Sequence, residues 1–383
     1  MKRGSKFLIL AVAGAVGLLE AADPPALPGG RGGLPSSSVP SPPSPQAPTT
    51  FFDAVTGFAE ARAGVRLNNA TGYGDETLAE ARVQFTSERE AGAVLFEASV
   101  DFLADGATSD HGFDWEGGRG PVDVRALNLS FSPASDIDVK LGRQVATWGV
   151  GDLVFVNDLF AKDWNSFLLG RDLEYLKAPQ DSLRVSYYND VANLDLIYSP
   201  RFQPDRFVDG DRLTYWDARA EEVTTASQPI EVASTGDAFE ADELHLRASR
   251  LLGRYETAAY GYVGYWKSPA GFDQREGLST FPSLSVVGAS ARGPLGRGIV
   301  SAEFGSYRSD SDPNGRDGRI RNSELRFLLG YEQEVGPELT ASVQYYIERT
   351  RDFAAGGGAG DRDRELLTLR LRKQLWRQTL TLN

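Results

Sequence analysis

From Val55 onwards, small or apolar side chains alternate with charged or polar ones, in stretches of about ten residues that recur along the chain. Between Ala59 and Leu67 the odd-numbered residues are Ala, Ala, Ala, Val and Leu, and the even-numbered residues are Glu, Arg, Gly and Arg. Successive side chains of a β-strand point to opposite faces, so each stretch has one apolar and one polar face. Repeated strands of this kind are typical of a transmembrane β-barrel, and we predict an all-β antiparallel barrel.

The alternation predicts fourteen strands and the start of a fifteenth near Thr379. Short connectors alternate with long ones, as in outer-membrane barrels, which have short periplasmic turns and long outer loops. Every long loop follows an odd-numbered strand, which predicts a periplasmic N-terminus. Single-chain bacterial barrels have an even number of strands. We therefore predict a sixteen-stranded barrel that this sequence truncates at its C-terminus, with a fourteen-stranded barrel and a short tail as the alternative. The predicted strands are 55–67, 77–88, 92–104, 122–132, 136–148, 182–189, 192–199, 241–252, 254–266, 283–293, 297–308, 321–335, 338–350 and 364–374.

The N-terminus has the layout of a secretory signal. Lys2, Arg3 and Lys6 precede an apolar run, 7–19, which is too short to cross a membrane as a helix. We predict a signal peptide over residues 1–22.

Composition supports export and argues against nucleic acid. Residues 23–50 are rich in Pro and Ser and predict a periplasmic linker ahead of a barrel over 51–383. The chain has no Cys, so a hydrogen-bonded barrel rather than disulfides would stabilise the exported protein. A formal net charge of −13 is unfavourable for binding nucleic acid and suits a cell-surface protein with acidic loops.

The stretch 122–205 contains a series of distinctive short motifs. They are Leu141-Gly-Arg-Gln144, Trp148-Gly-Val-Gly-Asp152, Asn157-Asp158 and Pro200-Arg-Phe-Gln-Pro-Asp205. In this order they resemble a family of poorly characterised outer-membrane barrels related to alginate-export porins. The resemblance implies a passive conduit, and some members are thought to work beside inner-membrane exporters. This chain has Phe160-Ala-Lys-Asp163 where the family has Asn-Pro-x-Asp, so a role for that element does not carry over.

The predicted loop 149–181 is too apolar for a free surface loop. We predict that it folds into the barrel and constricts the lumen; the alternative is that it packs over the rim or against a neighbouring protomer. Arg143 shares the strand parity of Ile137, Val139 and Leu141, which would direct it to lipid. It lies either at the rim or, as we favour, turns inward at a bulge at Gly142. The predicted lumen and constriction residues are Arg62, Arg82, Glu97, Asp101, Arg143, Gln144, Trp148, Asp152, Asn157, Asp158, Arg184, Arg247 and Arg326.

The inward charges have two interpretations. Opposed rows of basic and acidic side chains could orient a polar or anionic solute, or they could pair across strands and brace the wall. The segment 310–315 resembles the start of a calcium loop, but Arg321 stands where a bidentate Glu is needed. His111 and His245 have no further ligand at metal-site spacing. We predict neither a metal nor a cofactor.

These patterns predict an outer-membrane porin-like channel or export conduit for a small polar, anionic or amphiphilic solute, in a Gram-negative-type bacterium. The alternative is a non-transporting surface barrel that presents acidic loops, such as 200–240, for adhesion or assembly. No nucleophile elbow or phosphate loop is present, and we predict no enzymatic activity. The expected partners are outer-membrane lipid and lipopolysaccharide, with a periplasmic or inner-membrane export protein as a further candidate. The oligomeric state is open.

Overall fold

The computed structural model describes residues 55–66, 74–107, 112–151, 153–217, 222–224, 229–353, 361–376 and 380–382. The predicted signal peptide (1–22) and linker (23–50) lie outside these ranges and stay predictions.

Almost all regular structure in the described residues is β. Fifteen strands form one antiparallel sheet, in which each strand pairs with its neighbours along the chain, and the hairpins β8–β9 and β12–β13 form separate small sheets in the long loops. One short helix, α1 (Trp164–Leu168), and one 3₁₀ helix (Leu173–Leu176) lie between β5 and β6. The strands are β1 (Val55–Val65), β2 (Glu76–Ala91), β3 (Val94–Asp105), β4 (Val122–Ala134), β5 (Ile137–Gln144), β6 (Gln180–Tyr188), β7 (Asn193–Ser199), β8 (Tyr215–Asp217), β9 (Glu222–Thr224), β10 (Glu243–Leu252), β11 (Tyr255–Tyr265), β12 (Gly271–Asp273), β13 (Leu278–Thr280), β14 (Ser283–Leu295), β15 (Gly298–Ser309), β16 (Glu324–Gly336), β17 (Leu339–Thr350), β18 (Asp363–Leu375) and β19 (Leu380–Leu382).

The predicted fold class is confirmed: the fold is that of an antiparallel transmembrane β-barrel. The fourteen predicted long strands are present in the predicted order, and most of their ends agree within a few residues. The largest difference is in β5, which ends at Gln144 and not at Trp148, because the chain turns inward there and buries Trp148. The loop hairpins were not predicted, since three-residue strands are too short to show alternation. The total of sixteen strands stays a prediction.

The two faces of the sheet differ as the alternation predicts. In β2, Glu80 and Arg82 are buried whereas Val83 and Phe85 are exposed. In β18 the side chains of Leu367, Leu369 and Leu371 are 52%, 60% and 51% exposed. Large apolar side chains repeated on the outer face of so many strands form a surface suited to lipid, and charged side chains are buried on the inner face.

The sheet is curled around its inner face. Residues between β5 and β6 contact inner-face side chains of strands from both ends of the sheet, including Arg62 in β1 and Gln344 in β17. Strands from opposite ends of the sheet order can contact the same segment only if the sheet curls around that segment. None of the helices in the described ranges is long and apolar enough to cross a membrane.

The predicted bulge at Gly142 is wrong. The ladders from β5 to both neighbours run through Gly142 and Arg143 without a register shift, and Arg143 pairs laterally with Leu127 and Asp181. Leu127 is exposed on the outer face. Arg143 therefore keeps its outward parity and lies at the rim, one residue before β5 ends. Its charge is covered there, because the guanidinium stacks on the Trp115 ring at 4.5 Å and lies 3.3 Å from a carboxylate oxygen of Asp181.

A bulge does occur in the preceding strand, β4. Between β3 and β4 the register shifts, with Ser99 opposite Ala126 and Val100 opposite Val124. Arg125 is the extra residue, and both Arg125 and Asp123 are buried. Near the beginning of β4, the bulge thus leaves a basic and an acidic side chain on the inner face of the wall.

Candidate functional site

The connection between β5 and β6, residues 145–179, is called here the inner segment. It lies against the inner face of the wall and is attached on opposite sides. Arg62 in β1 donates to the Gly170 carbonyl at 2.7 Å, and Phe160 stacks on His245 in β10, seven strands from β1 in the fifteen-stranded sheet, with ring centres 4.3 Å apart. The Leu153 amide also donates to Gln344 in β17 at 3.3 Å. The segment therefore crosses the lumen, the space that the curled sheet surrounds.

Glu303 in β15 holds the first part of the inner segment. Its carboxylate accepts hydrogen bonds from the amides of Val150, Gly151 (2.6 Å) and Asn157 (2.9 Å), and from the Asn157 side chain at 2.8 Å. The side chain is only 2% exposed. A buried carboxylate that accepts four N–H groups fixes the backbone that surrounds it, because each donor would otherwise lack a partner.

Tyr175 holds the other end of the segment to strands β2 and β4. Its ring lies between two guanidinium groups, with Arg82 at 4.0 Å and Arg125 at 4.8 Å from the ring centre. Arg82 also pairs with Asp101 at 2.7 Å, and Arg125 donates to the Lys177 carbonyl at 2.8 Å. Burial raises the pKa of the Tyr175 hydroxyl, so this group stays neutral and acts as a hydrogen-bonding partner.

An apolar cluster joins the segment to the middle of the wall. Trp148 packs edge-on against Phe160, with ring centres 5.0 Å apart, and Phe160 stacks on His245 of β10 at 4.3 Å. These rings, together with Ile197 and Tyr260, are buried. The apolar residues of the segment thus find cover inside the barrel.

The motif that ends at Asp205 supports the inner segment from the side of the long loops. Asp205 accepts hydrogen bonds from the Lys162 amide at 2.8 Å and the Trp164 indole at 3.1 Å. Asp163 caps helix α1 by accepting from the Ser166 amide at 2.7 Å. The motif that ends at Asp205 therefore meets the inner segment in space and helps to position it.

Arg206 joins three parts of the long-loop end of the barrel. It donates two hydrogen bonds to Asp123 at 2.9 and 3.0 Å, and a third to Asp163 at 3.3 Å. Its Nε donates to the Glu116 carbonyl at 3.0 Å. Burial alone would lower the pKa of Arg206, but the two carboxylates outweigh it and raise the pKa, so the guanidinium remains charged. A cavity of about 370 Å³ remains beside this contact, lined also by Arg119, Arg171 and Arg212.

Ten of the thirteen predicted site residues fall into two groups. The first group lies in the inner segment or contacts it, its supports or the residues around it: Arg62, Arg82, Asp101, Trp148, Asn157, Asp158 and Arg326. Arg326 makes this contact through Tyr307: its guanidinium stacks 3.9 Å from the centre of the Tyr307 ring, and the Tyr307 hydroxyl donates to the Val156 carbonyl. The second lies on the wall away from the segment: Glu97, Arg184 and Arg247.

The remaining predicted residues have other positions. Gln144 donates to the Ser182 carbonyl at 3.2 Å, Arg143 lies at the rim, and Asp152 is outside the described residues. The sequence alone did not single out Glu303, Tyr175, Asp205 or Arg206 as site residues. Glu303 had a signal, since its strand parity directs it inward, but parity does not identify which inward side chain meets the segment. No group of three or more His, Cys, Asp or Glu side chains in the described ranges is placed to hold a metal ion.

Two glycines offer a matched test of how closely the segment meets the wall. A Cβ on Gly288 in β14 would lie 1.8 Å from Asn157 Oδ1 and 2.7 Å from the Phe304 carbonyl oxygen, whereas one on Gly261 in β11 would have 3.7 Å to its nearest neighbour. We expect Gly288→Ala to displace Asn157 and to lower the free energy of unfolding by about 1–3 kcal/mol. Gly261→Ala should leave stability unchanged or slightly increased. Urea unfolding in detergent micelles, followed by Trp fluorescence, measures both, and equal stability of the two variants would contradict the close contact.

The fold and the inner segment define the class of the protein, a transmembrane β-barrel with a chain segment across its lumen. Similar solved structures include OmpT of Vibrio cholerae in its trimer form (12% identity, TM-score 0.45, 85% of each chain covered). Others are OmpF of Salmonella typhi in complex with daunomycin (10% identity, TM-score 0.40, 80% of each chain covered) and an anion-selective porin of Comamonas acidovorans (12%, 0.40, 78% of this chain and 75% of that one). No family model and no curated protein matches the chain. The resemblance to alginate-export barrels stays a prediction.

Proposed function

We propose that this protein is an outer-membrane channel or export conduit for a small polar, anionic or amphiphilic solute, with the inner segment as its constriction and the N-terminus in the periplasm. The observation that carries the proposal is the attachment of the segment to opposite sides of the wall, through Arg62 in β1 and through the stacking of Phe160 on His245 in β10. A segment held in this way narrows the lumen without depending on an exposed loop. The charged inner face of the wall would keep the remaining path hydrated.

The resemblance to alginate-export barrels supports the export role. Asp205, in the last of its motifs, holds Lys162 and Trp164 of the inner segment. Under this proposal the motifs serve to fix the constriction, and the solute is determined by other residues.

A second function is favoured by the outer ion pairs. Arg206 ties the loop after β7 to the inner segment and to β4, and Arg119 pairs with Asp209 between two outer loops. Such contacts would also suit a surface barrel with a closed lumen that presents its acidic loops for adhesion or assembly.

Planar-bilayer recording separates the two functions. We expect the intact chain to insert and carry discrete current steps, and we expect replacement of 154–169 by a short Gly-Ser linker to raise the conductance severalfold, because the constriction is removed. Insertion shown by protease protection, with no current from either form, would contradict the channel and favour the surface barrel.

A further inference from the structure

A line of six charged side chains crosses the inner face of the wall. Lys140 lies 2.7 Å from Glu97, Arg184 lies 2.8 Å from Asp195, and Arg247 lies 3.8 Å from Asp195 and 2.9 Å from Glu256. The order along the line is Glu97, Lys140, Arg184, Asp195, Arg247 and Glu256.

Opposite charges alternate along this line except at one place. Lys140 in β5 and Arg184 in β6 are direct cross-strand partners. Like charges opposite each other in a sheet repel. Lys140 pairs with Glu97 and Arg184 pairs with Asp195, in each case on the side away from the other basic residue. An anion between them would complete the alternation.

The two basic side chains border a cavity beside the short turns that follow β2 and β4. Its volume is about 520 Å³, within the range of small-molecule sites. The side chains of Lys140 and Arg184 are 33% and 38% exposed, so a solute can reach them. Hydroxyl groups of Ser130 and Tyr188 also line the cavity and can bind the polar remainder of a solute.

Two acidic side chains line the same cavity nearer the short turns. Asp138 already accepts a hydrogen bond from Ser132 at 2.6 Å, and Glu90 is the second. They would repel an anion from the turn end of the cavity. A solute anion is therefore favoured at the Lys140 and Arg184 end.

We propose that Lys140 and Arg184 form a binding site on the lumen wall for a carboxylate or phosphate group of the permeating solute. The proposal rests on the proposed channel function and names the chemistry of its solute. Arg184 donates to Asp195 through Nε and Nη2, which leaves its Nη1 group to donate to a solute oxygen, and Lys140 supplies a compact point charge. The site lies apart from the inner segment, so it selects the solute at the wall and not at the constriction.

The test uses the full chain with citrate as the anionic probe and sucrose as the neutral one. In bilayer recordings, citrate is expected to block the current in a concentration-dependent manner. The double variant Lys140→Gln, Arg184→Gln is expected to raise the half-blocking concentration of citrate at least tenfold and to leave the effect of sucrose unchanged. Current through the empty double variant shows that it folds and inserts.

Arg247→Gln is the matched control, because it removes one positive charge from the same line but does not border the cavity. We expect it to change the half-blocking concentration less than threefold. An equal effect of Arg247→Gln, or no effect of the double variant, would overturn the site.

Calorimetric titration of citrate into the detergent-solubilised chain is a second readout that needs no current. Binding that disappears in the double variant supports the site even when the intact chain conducts no current, in which case only the channel function fails. Absence of citrate binding to the intact chain overturns the site by itself.

Discussion

Replacing Glu303 by glutamine is expected to detach the beginning of the inner segment and to raise both the single-channel conductance and its noise. Both carboxylate oxygens accept from backbone or side-chain N–H groups of Val150, Gly151 and Asn157. An amide of the same size directs two hydrogens at these donors and leaves some of them without an acceptor. Each buried donor left unpaired costs about 1–3 kcal/mol, so the free energy of unfolding should fall by at least about 2 kcal/mol.

The control for this change is Glu332→Gln. Glu332 lies in the neighbouring strand β16 and pairs with Arg370 at 3.5 Å, with 36% of its side chain exposed. The substitution has the same chemistry but removes no contact to the inner segment. Bilayer conductance and urea unfolding are measured for both variants. If the Glu303 and Glu332 variants had the same conductance as the intact chain, Glu303 would not hold the constriction.

Replacing Arg206 by alanine is expected to cause the largest loss of stability, about 3–5 kcal/mol, because it removes the guanidinium that pairs with the buried carboxylates of Asp123 and Asp163 and leaves Asp123 with the more distant Arg125 at 3.9 Å. It should also make the loop after β7 accessible to protease. Arg206→Lys should recover part of the loss, since an ammonium keeps the charge but not the two parallel hydrogen bonds to Asp123.

Arg319→Ala is the matched control for Arg206. Arg319 also lies in an outer loop and pairs with Asp317 at 2.8 Å, but 48% of its side chain is exposed. Water compensates for the loss of such a pair, so its stability should not change measurably. Chemical unfolding in detergent and limited proteolysis check both variants, and an Arg206→Ala protein as stable as the control would show that the outer contact is not a stabilising one.

The sequence predicted the wall well because one physical rule governs it. A strand between lipid and a polar lumen must alternate. In β2, Val83 is exposed and Arg82 is buried. In β18, Leu369 is exposed and Leu366 packs against buried Leu328. The strand parity of Arg143 was also read correctly. The choice of a bulge over a rim position was wrong because a loop residue, Trp115, covers the charge, and alternation contains no information about loops.

The contacts of the inner segment could not be predicted from alternation. Its apolar composition predicts that it needs cover, but it does not predict which side chains provide that cover. Glu303 and Gln344 are ordinary inward residues in the pattern of their strands, and only the closing of the wall brings them to the segment. Arg206 follows a motif in a long loop, and nothing local indicates that Asp123 and Asp163 will meet it.

The attachment of the inner segment has a consequence for biogenesis. The Gly151 amide bonds to Glu303, which lies 152 positions later in the chain, and the Leu153 amide bonds to Gln344, which lies 191 positions later. Contacts between such distant parts of the chain form slowly, because a long loop must close first. Until β15, β16 and β17 are in place, Val156 lacks the cover of Tyr307, Leu328 and Tyr346. Docking of the segment is therefore a late event in folding.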